Sequence, residues 1–224
     1  KIMKERFSAK DPKSLLLRFH TQTGGVTLTA QQPLNNVVRV AYQALSSVLG
    51  GTQSLHTNGF DEALALPTEQ AATLALRTQQ ILAEETGVAD TADPLAGSYF
   101  VESLTDQLEA QAQDWIDRVE EQGGAVSAIE NGYMPNAIGE NAYRRELARN
   151  DGRDIVVGVN KYVDDTPTEM QIQRIDQQAV QRQIDRVAAY KAQQDRAKVD
   201  AALACVGETA GGTGNLLPVM KDAL

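Results

Sequence analysis

Leu15-Leu16-Leu17-Arg18-Phe19-His20-Thr21-Gln22-Thr23-Gly24-Gly25 is the stretch on which the fold of this chain turns. A short apolar run that passes into polar residues and then glycines predicts a strand over residues 15–20, buried on both faces. The loop Thr21 to Gly25 follows, and Thr29 to Gln32 lead to Pro33, which can open a helix because its missing N–H is not needed in the first turn. Val37, Ala41, Leu45 and Val48 then recur at helical spacing until Gly50-Gly51 stop the run. The same order returns at once. Residues 52–56 predict a second strand, Thr57-Asn58-Gly59 a polar turn, and Asp61 to Ala65 a short helix before Pro67. Thr68 to Glu85 predict a long helix with Ala72, Leu74, Leu76 and Ile81 on its apolar side. Strand–loop–helix twice over is the unit of parallel α/β folds. Two parallel strands cannot close a sheet by themselves, whereas a (β/α)8 barrel needs eight strands and about 250 residues. If these are barrel strands, they are the last pair of a larger sheet, and the chain is expected to be part of a longer protein.

Beyond Gly87 the composition changes. Asp93-Pro94-Leu95-Ala96-Gly97-Ser98-Tyr99 reads as turns. A helix with Leu104, Leu108, Trp115 and Val119 runs to Gly123-Gly124, and shorter helices follow over Ala125 to Glu130 and Asn136 to Arg149. Asp154 to Asn160 is the one later strand-like run, and Asp164-Asp165-Thr166-Pro167 reads as a linker. A long Gln-rich helix is predicted from Glu169 to about Glu208, with Ile172, Ile175, Ala179, Val187 and Tyr190 as its apolar stripe. The expected organisation is residues 1–92, residues 93–165 and residues 166–224.

Composition excludes several function classes. The 224 residues are 42% hydrophobic and carry a net charge of −9, which argues against nucleic acid as a partner. No run approaches the roughly 18–20 apolar residues of a membrane span. A single cysteine removes a disulfide framework and a Cys-based zinc site, and Cys205 reads as a packing residue. A Walker-type loop, a nucleophile elbow and a His-rich metal spacing are all missing, so no metal site is expected. The chain reads as soluble and cytoplasmic.

The polar residues cluster at the two predicted strand ends. Arg18, His20, Gln22 and Gly25 fall at one, and Gln53, Ser54, His56, Asn58 and Glu62 at the other. In parallel barrels the carboxyl ends of strands and the loops after them face a common cleft, so these are binding candidates. Each also has a plain structural use, since a histidine can bond a backbone carbonyl and a glycine pair can serve a tight turn.

The ordered strings Arg18-Phe19-His20-Thr21-Gln22-Thr23-Gly24-Gly25, Gln32-Pro33-Leu34-Asn35-Asn36, Gly50-Gly51-Thr52-Gln53-Ser54-Leu55-His56-Thr57-Asn58, Asp61-Glu62-Ala63-Leu64-Ala65-Leu66-Pro67, Asp93 to Tyr99 and Val157-Gly158-Val159-Asn160 resemble the catalytic subunit of methylmalonyl-CoA mutase and its relatives, the adenosylcobalamin-dependent acyl-CoA mutases. The resemblance covers Leu15 to Asn160, and the Gln-rich tail looks like the end of large subunits from two-subunit members. It implies the C-terminal part of a (β/α)8 TIM barrel followed by a mostly helical extension, with residues 15–20 and 52–56 as the seventh and eighth strands. Carried over by position, Arg18, His20, Gln22, Gln53 and Ser54 resemble the family's contacts to acyl-CoA. Gly25 and Ala65 resemble close approaches to the corrin, and Asn58 and Glu62 the residues that bond the adenosyl ribose. Adenosylcobalamin is the implied cofactor; acyl-CoA and a cobalamin-binding domain or small subunit are the implied partners. The implied reaction is a radical carbon-skeleton rearrangement, favoured as (R)-methylmalonyl-CoA to succinyl-CoA, with isobutyryl-CoA, ethylmalonyl-CoA and hydroxyisobutyryl-CoA as alternative substrates. The family's substrate-carboxylate residues and its Asp-x-His-x-x-Gly cobalt-ligand motif are not in this sequence, so this stretch is not expected to catalyse alone. A non-catalytic module built on the helix from Glu169 to Glu208 is the competing reading.

Overall fold

The computed structural model describes residues 1–164 and 170–224, which divide into two compact units, Lys1–Gln173 and Arg174–Leu224. The first unit is mixed α/β, mostly helical, with one small parallel sheet.

The sheet consists of β1 (His20–Gln22) and β2 (Ser54–His56), in the register His20 with Ser54, Thr21 with Leu55 and Gln22 with His56. In both strands the outer two residues are exposed and the middle one is half-buried. One face of the pair therefore carries His20, Gln22, Ser54 and His56, because alternate residues of a strand share a face. The predicted first strand is displaced. Pro12–Leu15 form a turn of 3-10 helix capped by Asp11, and Leu15, Leu16 and Leu17 are exposed rather than buried on both faces. An apolar run reports a demand for burial, whereas a ladder forms only where a partner offers its backbone, and that begins where Gln53 N donates to Phe19 O at 3.3 Å.

After a short helix α1 (Ile2–Glu5), the framework of this unit is the pair α2 (Asn35–Leu49) and α3 (Glu69–Glu85). Leu28, Val40, Ala44, Phe60, Ala71, Ala75 and Leu82 form the core there. Each large member removes about 1.5–3 kcal/mol of apolar surface from water. The face of α3 differs from expectation: Ala71, Ala75 and Leu82 are buried, while Leu74, Leu76 and Ile81 are exposed. Ala71, Ala75 and Leu82, at spacings of four and seven, share one helical face, whereas Leu74 and Leu76 are two apart and stand on opposite sides; the small alanines let the helix approach its neighbour closely. Thr68 caps α3, its Oγ1 accepting from Ala71 N at 3.2 Å. The short helix expected at Asp61 to Ala65 is instead a run of turns, closed by Leu64 N and Ala65 N on Asp61 O.

Helices α4 (Tyr99–Glu121), α5 (Ala125–Glu130) and α6 (Tyr133–Asn150) follow. Helix α6 starts at Tyr133 rather than Asn136, because Gly132 takes the left-handed conformation and Asn131 Oδ1 accepts from Tyr133 N at 3.0 Å. Asp154 to Asn160 is not a strand. The Asn160 side chain accepts from Val156 N at 2.7 Å and donates to Arg149 O and Asp154 O, occupying backbone groups that a neighbouring strand would otherwise pair. This loop is bolted to the α2 region by Arg39, which donates to Val157 O at 2.7 Å, and by Gln32, which donates to Tyr162 O at 3.0 Å.

The second unit contains α7 (Gln177–Gln193), α8 (Arg196–Ala210) and α9 (Leu216–Asp222). The single helix expected from Glu169 to Glu208 is thus two; residue 169 lies outside the described residues. Gln194 is extended, and Asp195 Oδ1 accepts from Ala197 N and Lys198 N, which restarts the helix. The apolar stripe Ile175, Val187 and Tyr190 is exposed here, as is Cys205. Among the described residues no helix is long and apolar enough to cross a membrane, and no cluster of three or more His, Cys, Asp or Glu could hold a metal.

Candidate functional site

Parallel pairing puts the carboxyl ends of β1 and β2 side by side, and the segments that leave them carry most of the candidate residues. The first rung joins His20 to Ser54, with Nδ1 and Oγ 2.6 Å apart. One step on, Gln22 Nε2 donates to Asn58 Oδ1 at 3.5 Å. Asn58 is buried and fixed twice by Thr23: its backbone N–H donates to Thr23 Oγ1 and its Nδ2 to Thr23 O, each at 3.0 Å. The preceding Thr57 is buried too, its hydroxyl donating to Ala75 O at 2.6 Å on α3 and accepting from Gln79 Nε2. The turn after β2 is therefore clamped to β1 on one side and to α3 on the other.

The Gly24-Gly25 loop is held from α2. Gln43 accepts from Gly24 N and donates to Thr27 Oγ1, both at 2.6 Å, and Thr27 in turn donates to Gly24 O at 2.7 Å. This holds Gly25 directly against the other turn. A Cβ built at Gly25 would lie 2.5 Å from Glu62 Oε1 and 2.9 Å from Asn58 Nδ2. Only a residue without a side chain leaves that space open. The Glu62 carboxylate is exposed and makes no hydrogen bond or ion pair among the described residues, so its acceptor oxygens are available above Gly25.

A carboxylate with free lone pairs, a primary amide and a bare glycine backbone form a cradle suited to a flat or hydroxyl-bearing ligand. The carboxylate can accept from two hydroxyls, and the amide can donate and accept. His20, Ser54, Gln22 and His56 extend this polar surface along the sheet face.

The structure thus brings Gly25, Asn58, Glu62 and Gln22 together, with His20 and Ser54 on the adjoining rung. Arg18 lies in the extended approach to β1, exposed and without a side-chain partner among the described residues. Gln53 is turned to the backbone: its Oε1 accepts from Phe19 N at 2.8 Å and its Nε2 donates to Gly51 O at 2.9 Å. Ala65 is half-buried at the end of the Asp61 turn. Two further residues matter here that the sequence reading did not select: Thr23 holds Asn58, and Asp61 is a buried carboxylate beside Glu62. His56, a candidate from the sequence, shares the sheet face with Gln22. A threonine just before two glycines, and an acid seven residues before a helix-capping threonine, were the available signals.

A family model described as methylmalonyl-CoA mutase matches residues 1–224. The chain is 50% identical over 224 residues to methylmalonyl-CoA mutase from Cereibacter sphaeroides, covering all of this chain and 32% of that protein. It is 48% identical over 221 residues to the 2-hydroxyisobutanoyl-CoA mutase large subunit from Aquincola tertiaricarbonis, covering 98% of this chain and 39% of that protein. Against the mitochondrial methylmalonyl-CoA mutase of Homo sapiens the identity is 43%, over 99% of this chain and 30% of that protein. The chain therefore spans about a third of the length of these curated relatives.

Proposed function

Because the chain belongs to the methylmalonyl-CoA mutase family, we propose that it forms the closing part of the catalytic region of an adenosylcobalamin-dependent acyl-CoA mutase. Residues 1–92 would contribute the last two strands of a (β/α)8 barrel, residues 93–165 a helical region, and residues 166–224 the approach to a cobalamin-binding domain or small subunit. The reaction would be the isomerisation of methylmalonyl-CoA to succinyl-CoA, in the cytoplasm. The observation that carries this reading is the convergence of Gly25, Asn58 and Glu62 at the carboxyl ends of β1 and β2.

The residues present fit the adenosyl end of the cofactor. The space above Gly25 is one that a single Cβ would fill, and Glu62 is an unengaged double acceptor at its edge, which suits the adjacent hydroxyls of a ribose. Asn58, held by Thr23, would add an amide contact. When bound, adenosylcobalamin supplies the homolytic hydrogen-abstraction chemistry. The chain's own residues bind, orient and shield. Ser54 can steer the His20 imidazole toward the thioester carbonyl, Gln22 can bond the pantetheine end, Gln53 stiffens the entry to β2, and Arg18 is free to meet a CoA phosphate. Ala65 offers a small apolar contact to the corrin edge.

The direct test is acyl-CoA and adenosylcobalamin binding, followed by turnover, in the complete mutase with Glu62→Gln and Gly25→Ala. Loss of cofactor affinity with acyl-CoA affinity retained is expected; unchanged cofactor affinity in both variants would refute the assignment. A second substrate, 2-hydroxyisobutanoyl-CoA, is favoured by the 48% identity to that enzyme's large subunit. Turnover of methylmalonyl-CoA against 2-hydroxyisobutanoyl-CoA, isobutyryl-CoA and ethylmalonyl-CoA separates these readings.

A further inference from the structure

Asp61 is 1% exposed, and its carboxylate is used unevenly. Oδ2 accepts two hydrogen bonds from Thr68, one from the backbone N–H and one from Oγ1, both at 2.9 Å. Oδ1 is buried and meets no N–H or O–H of the protein. It faces Gly59 instead: a Cβ at Gly59 would lie 2.9 Å from Oδ1 and 3.2 Å from both Pro67 and Ala71. A buried carboxylate oxygen left without a donor opposes folding, so this acid is not explained by stability alone.

Its placement gives the explanation. The Asp61 carbonyl accepts from Leu64 N at 2.8 Å and Ala65 N at 3.1 Å, closing the turn whose second residue is Glu62. The side chain of the same residue ties that turn to the capped N-terminus of α3 through Thr68. Glu62 itself makes no side-chain bond, so what places its side chain beside Gly25 is the backbone that Asp61 holds. Asn58 is fixed by a separate arm, through Thr23. We infer that Asp61 is a positioning residue: anchored on Thr68, it presents the Glu62 carboxylate to the hydroxyls of the adenosyl group, while leaving the Asn58 arm undisturbed. This rests on the reading of Glu62 given above.

The test uses the complete mutase and two probes, adenosylcobalamin and hydroxocobalamin, which differ only in the upper ligand of the cobalt. Glu62→Gln serves as the reference. Asp61→Ala removes the anchor, Thr68→Ala removes its hydroxyl bond but keeps the one from the backbone N–H, and Thr68→Ser keeps both. The expected result is a loss of roughly tenfold or more in adenosylcobalamin affinity for Asp61→Ala, the scale of one charge-assisted hydrogen bond, and a smaller loss of roughly three- to fivefold for Thr68→Ala, which keeps one of the two anchoring bonds. Hydroxocobalamin affinity should stay within about twofold, and Thr68→Ser should bind both probes like the parent. If Asp61→Ala fails to fold, Thr68→Ala carries the test. Equal loss of both probes in the anchor variants would mean only a structural role and would overturn the inference. So would parent-like binding of both probes while Glu62→Gln still discriminates between them. If Glu62→Gln itself does not discriminate, the reading of Glu62 fails, and the inference goes with it.

Discussion

Substituting Gly25 by alanine isolates the cradle from the backbone. Gly25 lies outside the left-handed region, so an alanine adds no conformational strain, only a methyl group. That methyl would stand 2.5 Å from Glu62 Oε1, well inside the 3.4 Å at which ordinary contact begins, and 2.9 Å from Asn58 Nδ2. The two neighbours can yield to different degrees. Glu62 is exposed and swings away at little cost to folding. Asn58 is buried, and moving its amide lengthens the 3.0 Å bond to Thr23 O, worth about 1 kcal/mol. Stability should therefore fall by about 1–2 kcal/mol, a few degrees in unfolding midpoint. The ligand loses more. A displaced carboxylate forfeits charge-assisted hydrogen bonds of about 1.5–3 kcal/mol, or roughly 10- to 100-fold in affinity. Adenosylcobalamin titration of the complete mutase, paired with thermal unfolding, reads both quantities. Affinity within about twofold of the parent would refute the reasoning, because it would mean that nothing binds where the methyl was put.

Asn36→Ala should destabilise the protein by about 3 kcal/mol or more, measured by denaturant unfolding. Fully buried Asn36 donates to Thr29 O and Phe60 O and accepts from Thr29 N and Arg39 Nη1. Asp195→Ala should cost about 1 kcal/mol and raise amide exchange at Ala197 and Lys198, whose N–H groups it caps. Arg153 holds the exposed Asp151 carboxyl below the usual range, first through its side-chain hydrogen bonds and then through its backbone N–H. A depressed acid stabilises the fold above its unfolded pKa and ceases to as pH falls through the folded value. Arg153→Gln should thus move the Asp151 titration upward toward the ordinary value in a carbon-13 NMR titration, with no measurable change in stability at neutral pH.

The strand–loop–helix order was legible because turn and cap residues act locally. Thr68 and Gly50 mark helix ends wherever the chain goes afterwards. Which residues face inward was less legible. On α3 the larger Leu74, Leu76 and Ile81 read as the buried residues, yet Ala71 and Ala75 are inside, because closeness to α2 selects small residues and no single helix encodes its neighbour's distance. The strand at Leu15 to His20 was displaced for a related reason, since pairing depends on what β2 offers. At the site, Gly25, Asn58 and Glu62 could be found as a pattern of residue types at two strand ends. Asp61 could not: an acid in a turn reads as solvated, and its burial goes with the two bonds that draw it onto Thr68 at the start of α3. Gln53 is the converse case, where an amide suited to ligand recognition is engaged by the backbone at Phe19 and Gly51.

The most direct measurement is an experimental structure of the complete mutase with adenosylcobalamin bound. Both ribose hydroxyls should lie within hydrogen-bond distance of the Glu62 carboxylate, with the adenosyl group over the bare backbone of Gly25. An adenosyl group seated elsewhere, with Glu62 turned to bulk water, would contradict the account.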